Sequence, residues 1–331
     1  MKKINIHLGV IFSIILFYAG CSSTPSEKDI MRSYIIAGNK AAEMGKFEVA
    51  KKEYDLALKM NSNSSTVKRN LGIVLVKLNS YKEALEYLKE ILPVYPKDPE
   101  VYYFLGEAYR ALEFYSSAMD AYSTGLALSP KDERIIKSMA WVYLKQNKLL
   151  EAKNLIKDLY KQDPDDIQLI LIMSSLYVKE KEYKASIKIL KNFETSNYKL
   201  RSFNKELAET EKILLLDVLG ESYLGLNNCE KAQKIFLEIL KTRPFLSSAL
   251  VKSAKCDIKL NKYQEAATKL EKAQSSEPNN PDVLFWLGQV YTNTDPKKSA
   301  FYYQRFLDRS ENDSTRQAEI LRAQSAVSKE K

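Results

Sequence analysis

The chain has 331 residues and a formal net charge of +9, with 51 Lys and Arg against 42 Asp and Glu. That length could hold two globular domains, but the 10 Gly and 10 Pro are few and agree with an almost wholly helical chain. The lysines are spread along the chain rather than gathered in one stripe, so the basic balance does not point to nucleic-acid binding.

The first 20 residues have the parts of a secretory signal peptide. Lys2 and Lys3 form a basic start, and a largely apolar run follows over residues 8–19. This run is too short to span a bilayer, which takes about 20 apolar residues. His7 is the only histidine and lies in this segment. Removal of the segment would therefore leave no imidazole for proton transfer or metal binding.

The segment from Tyr18 to Cys21 resembles a bacterial lipobox, in which small residues precede a cysteine that receives lipid. The resemblance implies that Cys21 becomes the new N-terminus, carries palmitate and anchors the protein, with residues 21–30 as a flexible tether. Ser22 after the cysteine resembles an address for the periplasmic face of the outer membrane. A periplasmic protein without an anchor and an inner-membrane anchor are the alternatives.

A repeat of 34 residues organises residues 31–313. One column of small residues keeps this step, with a slip of 12 residues before its last three members: Gly38, Gly72, Gly106, Ala140, Ser174, Gly220, Ala254 and Gly288. A second small column starts at Ala50 and follows the same step. A fixed period of this length indicates a solenoid, in which no unit can bury its apolar face alone.

Each period reads as two amphipathic helices. In residues 99–132 the break between the helices falls near Glu113, and Pro130 ends the second helix. Gly106 and Ala118 are predicted where the two helices come closest, because the residues at a contact set the distance between helices.

The repeats resemble the tetratricopeptide repeat family; residues 99–132 match its motif with Tyr102, Leu105, Gly106, Tyr109, Ala118, Tyr122 and Pro130. The resemblance implies an all-α fold, a right-handed α-solenoid of about eight helix-turn-helix repeats. We expect five repeats over 31–200, an insertion or helix extension over 201–212, three repeats over 213–313, and a capping helix and tail over 314–331. In that last helix, Ala318, Leu321 and Ala323 are predicted to face inward.

In that family the first helices of successive repeats line a concave groove that binds a partner segment. The matching positions imply a groove of eight side chains: Arg69, Ile73, Tyr103, Arg110, Lys137, Trp141, Leu144 and Leu171. The mixture suits a peptide, because apolar groups supply area and arginine supplies charge-assisted hydrogen bonds. Trp141 has two interpretations, as an anchor in this groove or as a core residue that fills an irregular gap.

The two-carboxylate clamp of chaperone-binding family members is absent. Asn39 and Asn70 match its two asparagines, whereas Ile35, Glu100 and Phe104 stand where its basic residues would be.

The sequence contains no glycine-rich phosphate loop, no Gly-x-Ser-x-Gly elbow and no zinc-ligand spacing. We therefore expect no catalysis, no cofactor, no metal, no small-molecule substrate and no nucleic-acid partner. Cys229 and Cys256 have two interpretations, as small buried residues or as a disulfide in an oxidising compartment.

Three classes of function remain. The first is a non-catalytic scaffold or assembly lipoprotein of the envelope, similar in architecture to the lipidated tetratricopeptide pilotins of type IV pilus biogenesis, which bind a secretin. The second is an adaptor that regulates cell-wall enzymes in the periplasm. The third is an enzyme, which the missing motifs disfavour.

Overall fold

The computed structural model describes residues 26–195, 205–310 and 313–330. Within these ranges the chain forms seventeen α-helices and one short 3-10 helix, and no strand. The predicted all-α fold is confirmed. None of the helices in the described part of the chain is both long and apolar enough to cross a membrane.

In chain order the helices are α1 (Glu27–Glu43), α2 (Phe47–Met60), α3 (Ser65–Lys77), α4 (Tyr81–Ile91), α5 (Pro99–Ala111), α6 (Tyr115–Leu128), α7 (Glu133–Lys145), α8 (Leu149–Gln162), α9 (Ile167–Lys179), α10 (Tyr183–Thr195), α11 (Lys205–Gly225), α12 (Cys229–Thr242), α13 (Ser247–Lys259), α14 (Tyr263–Ser276), α15 (Pro281–Tyr291), α16 (Pro296–Ser310) and α17 (Gln317–Glu330). The 3-10 turn Ser314–Arg316 precedes α17.

The chain divides into two compact units, one ending at Met139 and one beginning at Ala140. Consecutive helices pack as hairpins, α1 with α2, α3 with α4 and α5 with α6 in the first unit, and α9 with α10 through α15 with α16 in the second. The first helices of successive hairpins also touch, α1–α3–α5 in the first unit and α9–α11–α13–α15–α17 in the second. We call the surface formed by these helices the first-helix face of each unit.

The small-residue column marks the closest contact within each hairpin, as its spacing predicts. A Cβ atom on Gly38 would lie 2.5 Å from the Tyr54 ring, and one on Gly220 would lie 2.6 Å from the Phe236 ring. Real Cβ atoms do not approach other atoms so closely, so a large aromatic ring on the second helix requires a glycine on the first. Ala118, in the second small column, is fully buried.

A third column, which our sequence analysis did not identify, lies in the turns of the hairpins. Seven residues 34 apart, apart from the same slip, have φ between 58° and 69°: Gly45, Asn79, Glu113, Asn147, Lys181, Asn227 and Asn261. This left-handed conformation suits Gly and Asn and strains other side chains. The turn of the last hairpin is shorter, which moves Tyr303 one position closer in sequence to the glycine it contacts, Gly288.

The slip of 12 residues coincides with a longer first helix. α11 has 21 residues, whereas α9 and α13 have 13 each. Of the predicted insertion, residues 201–204 lie outside the described residues, and the rest belongs to α11.

The C-terminal helix α17 packs against α16, but not through the predicted residues. Ile320 and Ala323 are buried, whereas Leu321 is 56% exposed. Ile320 and Ala323 lie three residues apart on one side of the helix, and Leu321 follows Ile320 on a different side. The turn before α17 is capped by Asp313, whose side chain accepts a hydrogen bond from the Thr315 backbone N–H.

Candidate partner-binding faces

Arg69, predicted to meet a partner, is held by carboxylates of its own unit. Its Nε lies 2.7 Å from Asp98 and its Nη2 lies 2.6 Å from Glu100. Burial acts to raise the pKa of Asp98, but Arg69 outweighs that effect and lowers it. The guanidinium is only 20% exposed, while Glu100 is 42% exposed. The part of this cluster most open to solvent is therefore a carboxylate.

Arg110 is also paired inside the first unit. Its Nη2 lies 2.6 Å from Glu107, and the same carboxylate accepts hydrogen bonds from the hydroxyls of Tyr122 at 2.5 Å and Ser138 at 2.7 Å. Burial acts to raise the pKa of Glu107, but these hydrogen bonds, first that from Arg110, lower it below its ordinary value. Glu107 therefore links α5, α6 and the start of α7.

Tyr103 presents a half-buried ring on the face of the first unit. It packs edge-on against Phe104, with ring centroids 5.0 Å apart, and the Arg134 guanidinium lies 4.8 Å from its centroid. Burial, with a smaller contribution from Glu107, raises the pKa of Tyr103 to about 12. Tyr103 is therefore uncharged near neutral pH. Ile73 and Lys137, the other predicted residues of this unit, are half-buried.

The two asparagines that match the clamp motif have an internal role. Asn39 accepts hydrogen bonds from the Tyr54 hydroxyl at 2.7 Å and from the Asn70 side-chain amide at 3.0 Å. The pair joins α1, α2 and α3 and satisfies a tyrosine that is almost fully buried.

In the second unit, Trp141 is half-buried and packs against a core cluster that includes Ala140 and Ile156. The Lys145 ammonium lies 4.6 Å from the centroid of its ring. Leu171 is also half-buried. Leu144 differs from the prediction, since it is 5% exposed and belongs to the core cluster, so it is not available to a partner.

The second unit contains a further charged group that our sequence analysis did not identify. Lys252 lies 2.7 Å from Asp217 and 2.8 Å from Glu221, and the neighbouring Lys255 lies 4.9 Å from the centroid of the Trp286 ring. Asp217, Glu221 and Lys255 occupy repeat positions that correspond to predicted groove residues. The same spacing rule, applied beyond the middle of the array, would have found them.

The described residues contain no group of three or more His, Cys, Asp or Glu side chains arranged to hold a metal ion. Cys229 and Cys256 are free, buried and part of one core cluster. Burial, with a further contribution from Cys229, raises the pKa of the Cys256 thiol to about 12. Cys21, the predicted lipid attachment site, lies outside the described residues.

Three family models described as tetratricopeptide repeat match residues 41–108, 99–132 and 257–314. Among curated proteins, the chain is 27% identical over 35% of its length to small glutamine-rich tetratricopeptide repeat-containing protein 2 of Mycosarcoma maydis. It is 23% identical over 58% of its length to TPR repeat-containing protein YpiA of Bacillus subtilis. The chain spans only 34% and 42% of these two relatives.

Solved structures show the same fold. A tetratricopeptide repeat protein from Parabacteroides merdae matches with a TM-score of 0.62 and 15% identity, over 80% of this chain and 99% of that chain. A structure reported with the functional characterization of Pseudomonas aeruginosa pilF matches with a TM-score of 0.51 and 15% identity, over 69% of this chain and 96% of that chain.

Proposed function

The chain is a tetratricopeptide repeat protein, and because such repeats commonly bind protein partners, we propose that it is a non-catalytic, partner-binding scaffold lipoprotein of the bacterial envelope. In this proposal the first-helix faces hold a segment of the partner. Cys21 carries the lipid that anchors the protein to the periplasmic face of the outer membrane. The sequence of the first 21 residues supports the anchor, since it has the parts of a signal peptide followed by a lipobox-like cysteine.

The observation that carries the binding role is the presence of half-exposed apolar side chains on both first-helix faces. Tyr103 and Ile73 in the first unit, and Trp141 and Leu171 in the second, each reach solvent although the cores beneath them are closed. Aromatic residues at such positions are the usual anchors of protein interfaces. The basic side chains Arg69 and Arg110 hold this surface in shape through the carboxylates that they bind.

Within this role we propose a pilotin-like task, in which the protein helps a secretin or another part of a type IV pilus to assemble in the outer membrane. The support is the order of parts along the chain: leader, lipid cysteine, short tether, then repeats. An adaptor for cell-wall enzymes would have the same order of parts and is the alternative that the test must separate.

Crosslinked pull-down from membranes of the native host tests the proposal. The wild-type protein should recover a secretin multimer or another pilus component, and Trp141→Leu should recover less of it at equal expression. Cys21→Ala should abolish palmitate labelling and release the protein from the membrane. Recovery of cell-wall synthases or hydrolases would establish the alternative, and recovery of no protein partner would refute the scaffold role.

A further inference from the structure

Lys255, on α13, differs from the two basic residues nearest to it on the first-helix face of the second unit. Lys252 is bound by two carboxylates at 2.7 and 2.8 Å. Arg316 is bound by two carboxylates at 2.7 and 2.5 Å. Lys255 has neither an ion pair nor a hydrogen bond to any described residue, and its one close electrostatic contact is the Trp286 ring.

The ring beneath this ammonium is fixed. Trp286, on the adjacent first helix α15, packs against the core clusters on either side of it. It also meets Phe285 edge-on, with centroids 5.4 Å apart and planes at 89°. An ammonium over an indole face is favourable, more so when it is shielded from water. Lys255 is therefore held in place without being neutralised.

The carboxylates around Lys255 are already engaged. Asp282 and Glu319 both bind Arg316, and Glu221 binds Lys252. Burial lowers the pKa of Lys255 even though Asp282, Glu221 and Glu319 act to raise it. A partly desolvated cation with no anion in contact is unfavourable, and a carboxylate brought by a partner would supply the missing contact.

We propose that Lys255 and Trp286 form a subsite that binds the side-chain carboxylate of an Asp or Glu within an internal acidic segment of the partner. The neighbouring apolar atoms of that segment lie against the Trp286 ring. Recognition of a terminal carboxylate uses several donors that converge on it, whereas this subsite offers one ammonium, which matches a single side-chain carboxylate. This inference rests on the proposed binding role and names the chemistry that one face selects.

A fluorescence titration tests the subsite, because the chain has only two tryptophans and Trp141→Phe leaves Trp286 as the sole reporter. The probes are blocked heptapeptides of alternating leucine and glutamate, leucine and glutamine, or leucine and lysine, and the glutamine peptide with a free C-terminal carboxylate. The glutamate peptide should bind at least about tenfold more tightly than the other three. Lys255→Gln should weaken its binding by about tenfold.

Lys272→Gln is the matched control, since Lys272 also lies over an aromatic ring, 4.6 Å from the Phe245 centroid, but on the second helix α14. It should change the affinity by less than about twofold. Lys255→Met, which keeps the apolar stem, replaces Lys255→Gln if circular dichroism shows that the glutamine variant is unfolded.

Four results would overturn the subsite. They are equal binding of the glutamine peptide, tighter binding of the lysine peptide, preference for the free C-terminal carboxylate, and an affinity that Lys255→Gln leaves unchanged. The pull-down separates this inference from the scaffold role. If the wild type and Lys255→Gln recover the same partner in equal amounts, the subsite is wrong and the scaffold role stands. If the wild type recovers no partner, the scaffold role fails.

Discussion

The Arg110 guanidinium lies 2.6 Å from the Glu107 carboxylate, three residues before it on α5. The sequence places Arg110 on a binding face, and the structure places its charge in a network that also holds the hydroxyls of Tyr122 and Ser138. The pair therefore serves the stability of the first unit, and any partner meets a neutralised cation there.

Glu107→Gln should lower the free energy of unfolding by about 1.5–3 kcal/mol, the usual contribution of hydrogen bonds to a charged group. Glutamine keeps the shape of the side chain but leaves Arg110 without its anion. Urea unfolding followed by circular dichroism measures the change. Glu113→Gln, at an exposed position, is the control and should stay within about 0.5 kcal/mol of wild type.

The same pair predicts a dependence on pH. The pKa of Glu107 is lowered in the folded state, so its contribution to stability is complete above the ordinary value of 4.5 and is lost as the pH falls through the lowered pKa. Wild-type protein should lose stability on acidification below that value, and Glu107→Gln should lose less over the same range. Equal losses in thermal melts of the two proteins would contradict the assignment.

Gly220→Ala tests the glycine column. The new Cβ would lie 2.6 Å from the Phe236 ring, so the hairpin of α11 and α12 must open slightly. Overpacking of this kind costs about 1–3 kcal/mol, which thermal melting should detect. Ser248→Ala, at an exposed position of α13, should leave the melting temperature nearly unchanged.

Lys181→Gly tests the column of left-handed turns. Lys181 has a φ of 62°, a conformation that costs a residue with a Cβ roughly 1–2 kcal/mol. Glycine removes that strain and loses some of the gain through chain entropy, so we expect stability to rise by about 0.5–1 kcal/mol. Lys188→Gly, in the interior of α10, should instead lower stability by about 1 kcal/mol. A loss of stability in both variants would refute the strain at Lys181.

The two buried cysteines predict a difference between folded and unfolded protein. Because burial raises the pKa of Cys256 to about 12, little thiolate forms at pH 8 and iodoacetamide should leave Cys256 unmodified in the folded state. In denaturant without reductant, both Cys229 and Cys256 should react, since both are free. Mass spectrometry that finds them joined in the untreated protein would contradict this prediction.

The sequence predicts the fold well because the repeat makes each structural role visible many times. Gly106 and Ala118 could be assigned to the helix contact from their periodic spacing alone. The turn column is equally periodic, but Glu113 and Lys181 depart from the residue types that a left-handed turn favours, which hides it. Leu144 shows another limit, since a repeat position gives the side of a helix and not the depth to which a particular side chain is buried.

Charge pairing could not be predicted in the same way. Arg69 reads as a free cation in sequence, because its partners Asp98 and Glu100 lie about 30 residues away and belong to the following turn and helix. Which of several nearby basic residues stays without a carboxylate depends on contacts of a few ångströms. Lys252 and Lys255 lie three residues apart, and only the structure distinguishes them.

The measurement that tests the central claim most directly is photo-crosslinking in the native host from single positions on opposite sides of each unit. A photoreactive residue replaces Tyr103 or Leu171 on the first-helix faces, or Leu128 or Leu237 at exposed sites of second helices. We predict that Tyr103 and Leu171 give a crosslink to a protein partner and that Leu128 and Leu237 do not. A crosslink that forms only from Leu128 or Leu237, with Tyr103 and Leu171 silent, would contradict partner binding by the first-helix faces.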